Sequence, residues 1–174
     1  MATSSLSVSD SSRRYAAPPR VPWWALFIVL AVINVAARIY LPKSIEGFIP
    51  AIAIKTWAVY LCLWIRTLDP KATSIYWVVG SLLGDGVMVF LCLLPDPTPL
   101  VSLAIVYYAL PSIAAGIAAI YIIRHELLKH YTEREPMGLF LSPIVTFFFS
   151  YIYFQYHLYD IAEAKRHESE SLVR

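Results

Sequence analysis

The sequence predicts an all-α, polytopic membrane protein of about five transmembrane helices. Its charge distribution carries most of that expectation. Arg38, Lys55 and Asp85 stand inside long apolar runs, whereas every other Lys, Arg, Asp and Glu falls in a tail or a short connector. Each apolar run approaches the roughly 20 residues that a helix needs to cross a hydrocarbon core of about 30 Å. Composition agrees, with 59% hydrophobic and 15% charged residues, against about 25% charged in an average soluble domain. A mean hydropathy of +0.61 over 174 residues means more apolar surface than a soluble core of that size could hide.

Residues 1–20 are rich in Ser, Ala and Pro and contain no apolar run, so they are expected to form a disordered tail. Ser12-Arg13-Arg14 invites comparison with a twin-arginine export signal. The run that follows is about 20 residues long, longer than the apolar region of a signal peptide. Its passable cleavage sequence, Val35-Ala36-Ala37, is followed at once by Arg38. Residues 21–41 therefore read as a retained anchor. Pro22 suits a first helical turn, where its missing N–H costs nothing. Trp23 and Trp24 suit one headgroup level and Tyr40 the other, and Arg38 is close enough to the far end to snorkel.

The second span is residues 47–65, with Pro50 in its first turn and Lys55 near its middle. A connector carrying Arg66, Asp69 and Lys71 follows, and Asp69-Pro70 stops the helix. The third span, residues 73–94, opens on Thr73 and Ser74 as N-cap candidates and holds Gly80, Gly84 and Gly86 around Asp85. Alternating prolines make residues 94–100 a stiff, non-helical turn. The fourth span, residues 100–123, is charge-free. Pro111 lies near its middle, and Ser112, Ala115, Gly116 and Ala119 recur as small residues at helical spacing. This helix is expected to continue beyond the membrane until Pro136, supported by the Glu126, Lys129 and Glu133 spacing. Residues 137–159 form a charge-free, strongly aromatic fifth segment, and residues 160–174 a polar tail. The transmembrane bundle thus covers residues 21–159.

Lys and Arg in short connectors set orientation. With five crossings and the N-terminus inside, the inner side holds twice as many of them as the outer, so the N-terminus is expected to be cytoplasmic and the membrane the plasma (inner) membrane. The basic residues of the C-terminal tail dissent. An alternative removes the dissent: four crossings plus an interfacial aromatic helix, which returns that tail to the inside.

Lys55 and Asp85 are the sharpest candidate site. They lie about ten and twelve residues from the inner ends of consecutive spans, at roughly 15 and 18 Å depth by helical rise. Each charge alone at mid-membrane costs roughly 2.5 to 3.5 kcal/mol on insertion scales, which argues for pairing. The pair reads either as a structural lock on helix register or as part of a proton or ion pathway. Gly80 and Gly84 have the G-x-x-x-G spacing that lets membrane helices approach closely, so both are expected at a helix-packing face.

Other patterns carry less. His125 and His130 are five residues apart, about 140° around a helix, and cannot share a metal. Cys62 and Cys92 lie in different apolar runs and suggest neither a disulfide nor a zinc site. The aromatic block of residues 147–159 suits an interfacial or lipid-facing surface. No nucleophile and base, paired carboxylates or phosphate loop can be read, so no catalytic, cofactor or metal site is expected. A net charge of +2 is too small to argue for nucleic acid. The expected partners are the lipid bilayer and a membrane protein or second copy of the chain. The expected function is that of a small non-enzymatic accessory or structural subunit acting through helix packing. The runner-up is an oligomeric transporter or channel-like protein that uses Lys55 and Asp85.

Overall fold

The computed structural model describes residues 18–94, 99–134 and 139–172. Among them are five helices and no strand: α1 (Trp23–Tyr40), α2 (Phe48–Leu68), α3 (Ser74–Cys92), α4 (Pro99–Lys129) and α5 (Pro143–Leu172). A π-helical turn, His130–Arg134, prolongs α4. The fold is all-α, and α1 to α4 are long and apolar enough to cross a membrane. The expected N-terminal tail up to residue 17, the centre of the proline-rich turn at 95–98 and the stop at Pro136 lie outside the described residues.

The fifth crossing expected from the sequence is not among the four: α5 has 30 residues, but tyrosines, Gln155 and His157 interrupt its phenylalanines and leave it less apolar than the others. α5 starts at Pro143 instead of near residue 137, and the backbone breaks at Ser150, where φ is 45° and ψ is −124°. A positive φ at a non-glycine residue costs on the order of 1–3 kcal/mol and persists only where surrounding contacts impose it. Before the break, Ile144, Phe147, Phe148 and Phe149 are exposed. After it, Tyr151, Phe154, Leu158 and Ile161 are buried along one stripe, the helical spacing of a packing face. Residues 160–172, expected as a polar tail, continue the helix.

That stripe shows where α5 sits. It belongs to one buried cluster with Leu61, Ile65 and Leu68 of α2, Ile75 of α3, Ile123 and Leu127 of α4 and Tyr131 just beyond, and α5 itself packs chiefly on α4 and α1. All of these belong to the end of the bundle at which α1 and α3 begin and α2 and α4 finish. Arg66, Lys71, Arg124 and Lys129 make it the basic end. Leu141, in the lead-in to α5, is buried in the same cluster, and its carbonyl accepts from Arg124 Nε at 2.9 Å and Nη2 at 2.7 Å. The buried stripe of α5 thus packs at one end of the bundle.

Two long-range polar contacts finish this end. Thr73 and Ser74 were the expected caps of α3, but neither side chain bonds the helix start. Glu126 of α4 does so instead: its Oε1 accepts from the backbone N–H of Thr73 at 2.7 Å and of Ser74 at 3.1 Å. A carboxylate there satisfies orphan amides and meets the positive end of the helix dipole. The second contact holds residues 18–20, which the sequence groups with the tail. Pro18 and Pro19 are buried, and the fully buried Gln155 amide of α5 donates to the carbonyls of Pro19 and Val21.

If Glu126 is the cap of α3, its variants should rank by how much of the cap survives. Glu126→Gln keeps an acceptor but loses the charge, and Glu126→Ala loses both. Loss of a cap typically costs about 1 kcal/mol. Thermal unfolding in mild detergent should therefore fall in the order wild type, Gln, Ala; equal midpoints would remove Glu126 from this role.

Candidate functional site

Lys55 lies seven residues from the start of α2, and Asp85 seven residues from the finish of α3. At 1.5 Å per residue both sit about 10 Å from the same end of the bundle. α2 and α3 are antiparallel neighbours joined by a short turn, so the two charges face each other. Lys55 Nζ donates to Asp85 Oδ2 at 2.6 Å, with the side chains 16% and 11% exposed. The ammonium turns inward to the carboxylate and not toward the start of its own helix. In an apolar surrounding each charge is tolerated best beside the other.

α3 positions Asp85 on the face that carries Ser74, Ile75, Val78, Ser81 and Met88, all buried. That face meets α4 at a seam of very small residues. Ser81 and Ser112 exchange hydrogen bonds: each hydroxyl donates to the other's backbone carbonyl at 3.0 Å. The Ser112 hydroxyl also lies 3.0 Å from Asp85 Oδ1. It has a single proton, which is therefore shared between the Ser81 carbonyl and the carboxylate. Asp85 is thus held through both oxygens, one by α2 and one by α4. Pro111 precedes Ser112 inside α4 without ending the helix.

Glycine makes this approach possible at Gly84. A Cβ built there would lie 2.7 Å from Ser112 Cβ and 2.8 Å from its Oγ, closer than atoms tolerate. Gly116 gives the reciprocal space on α4, with Ser81 Oγ 3.2 Å from the position its Cβ would take. Gly80, expected at the packing face with Gly84, is exposed, and nothing stands within 4 Å of a Cβ there. The close approach is a seam of Ser81, Gly84, Ser112 and Gly116. Its G-x-x-x-G spacing led to the right helix but only half of the right face.

Lys55, Asp85 and Gly84 are therefore brought together, and Gly80 is not. Sequence reasoning missed the part played by Ser81 and registered Ser112 only as small. The available signal was Ser81 at four residues before Asp85, which places a hydroxyl on the same helical face as the buried charge.

The remaining candidates lie apart from this seam. Cys62 is buried in α2 and Cys92 half-buried in α3, both as free thiols. His125 is exposed, while His130 is buried edge-on to Tyr131, their ring centroids 4.9 Å apart. His157 packs on Tyr153 and Tyr156. Burial holds its imidazole below the usual histidine range, with Asp160 pulling weakly the other way. The arrangement at Lys55 and Asp85 can hold a neutralised charge pair and fix three helices in register. Among the described residues, no cluster of three or more His, Cys, Asp or Glu suits a metal ion.

The two glycines separate packing from mere spacing. Gly84→Ala should destabilise by about 1–3 kcal/mol through overpacking. Gly80→Ala should be neutral or stabilising by up to about 1 kcal/mol, because alanine is the better helix former in open space. Thermal midpoints of the two variants in detergent decide this, and equal effects would mean that the seam is not as tight as its geometry. No family model, no curated protein and no solved structure matches this chain.

Proposed function

We propose that this chain is a non-enzymatic, four-span integral membrane protein of the plasma (inner) membrane that serves as an accessory or structural subunit. It acts through helix packing, and the Lys55–Asp85 pair is its register lock. The single observation that carries this reading is that Asp85 is engaged on both oxygens, by Lys55 and by Ser112, in a closed seam. A group that must bind and release a proton or ion gains from a free lone pair and a wet cavity. A register lock gains from full satisfaction.

In this reading α5 lies in the membrane interface at the basic end, its exposed phenylalanines toward lipid. Both termini are then cytoplasmic, and Lys43 is the one basic residue of the tails and connectors left outside. That is a cleaner basic-residue asymmetry than five crossings give. Wide apolar faces on α1, α3 and α4, including Val32, Leu83 and Leu110, remain for lipid or for a membrane-protein partner.

A double-mutant cycle tests the lock. Lys55→Met or Asp85→Asn alone strands a polar or charged group, a loss of about 3–5 kcal/mol where such pairs are buried in soluble proteins. Coupling inside membranes is weaker, with cycle values averaging about 0.6 kcal/mol. The double variant should therefore be more stable than the sum of the single losses implies, with the physiological phenotype largely kept. Additive losses would show that the pair is not coupled. A stable double variant without phenotype would overturn the structural role in favour of transport. The topology has its own test, in a background without native cysteines and with an impermeant thiol reagent on intact cells. Cysteine at Ser44 should be labelled, and cysteines at Thr132 and Glu170 protected; labelling at Glu170 alone of that pair would restore the fifth crossing.

A further inference from the structure

We propose that Arg20 and Arg166 form a binding site for a phosphate group, supplied by the headgroup of an anionic phospholipid at the basic end of the bundle. The two arginines come from opposite ends of the chain and line one cavity of about 200 Å³, together with Pro22, Tyr159, Ala162 and Glu163. That volume suits a headgroup phosphate and is smaller than the pockets of roughly 300–1,000 Å³ that enclose whole small-molecule ligands. The assignment of a lipid source rests on the reading of α5 as an interfacial helix.

The decisive feature is how Arg20 is held. The Gln155 amide donates to the carbonyls of Pro19 and Val21, the two residues that flank Arg20. Gln155 is fully buried, so a polar side chain is desolvated to fix three residues of extended backbone. The Arg20 side chain itself is exposed and makes no ion pair with any described residue. Arg166 is one helical turn from Glu170, which it meets at 3.3 Å on an exposed surface. Such a contact is weak enough to yield to a phosphate. Trp23 packs edge-on to Tyr156 beside the site, ring centroids 6.2 Å apart, and Trp24 is exposed. Tryptophan at this position marks headgroup level. The first N–H groups of α1 are uncapped by any side chain and add positive potential near Pro22. Glu163 lines the same cavity and lowers its affinity for any anion.

The test uses the full-length protein in mild detergent, titrated with mixed micelles of phosphatidylcholine containing increasing phosphatidylglycerol. The readout is the thermal midpoint. Phosphatidylglycerol should raise it, and pure phosphatidylcholine, whose phosphate is neutralised by its own choline cation, should not. Removing each arginine, as Arg20→Gln and Arg166→Gln, should weaken the apparent affinity about fivefold, the effect of roughly one basic residue at an anionic surface. Gln155→Leu should weaken it also while both arginines remain. A midpoint equal to wild type in phosphatidylcholine keeps the arginine variants interpretable as folded protein. Inorganic phosphate alone reproducing the shift would overturn the lipid source while keeping the phosphate chemistry. An equal loss from the distant Lys43→Gln would overturn the site, since bulk charge would then explain the effect. Absence of any shift with either probe would overturn it as well. None of these outcomes depends on coupling between Lys55 and Asp85, so the site and the register lock fail separately.

Discussion

A positive and a negative charge set among apolar helices constrain everything around them. Lys55 and Asp85 can be tolerated there only where each finds the other, and this requirement fixes α2 against α3 to within the reach of one ion pair. From that contact the rest of the spanning bundle follows. The second oxygen of Asp85 meets Ser112, which brings α4 into the same register. Gly84 and Gly116 then allow α3 and α4 to close until serine hydroxyls reach carbonyls on the opposite helix. Without the hydrophobic effect to press helices together inside lipid, such close packing and hydrogen bonding are what remain to hold them.

The basic end is organised by different physics. There α2, α3, α4 and α5 share an apolar cluster running from Leu61 and Ile65 through Leu127 to Phe154 and Leu158. Glu126 caps α3 from a residue more than fifty positions away, so the start of one helix depends on the finish of another. Gln155 ties the lead-in to α1 onto α5 in the same manner. α1 has few other anchors, with only Leu26 and Ala37 buried along its length. It is therefore fastened near its two ends and presents most of its surface outward.

The break at Ser150 reconciles two demands on one helix. Before it Ile144, Phe147, Phe148 and Phe149 are exposed and Thr146 is buried, whereas the segment after it buries one apolar stripe. A residue in a costly backbone conformation persists because packing on each side holds it.

The sequence alone determined the class of the protein, the approximate limits of the four spans, the extension of the fourth beyond Ile123 and the meeting of Lys55 with Asp85. These follow from quantities local to the chain: run length, hydropathy, helical rise and the antiparallel placement of spans joined by a short turn. Tertiary structure decided the rest. Which of Gly80 and Gly84 faces α4 depends on helix rotation, and the four-residue spacing is silent about it. That Glu126 and not Thr73 caps α3 depends on where α4 finishes, a distance no local motif encodes. Whether a 23-residue aromatic run crosses or covers the bundle was undecided by length, because length satisfies both. The break at Ser150 and the burial of Tyr151, Phe154, Leu158 and Ile161 in one cluster depend on packing partners, which run length does not encode.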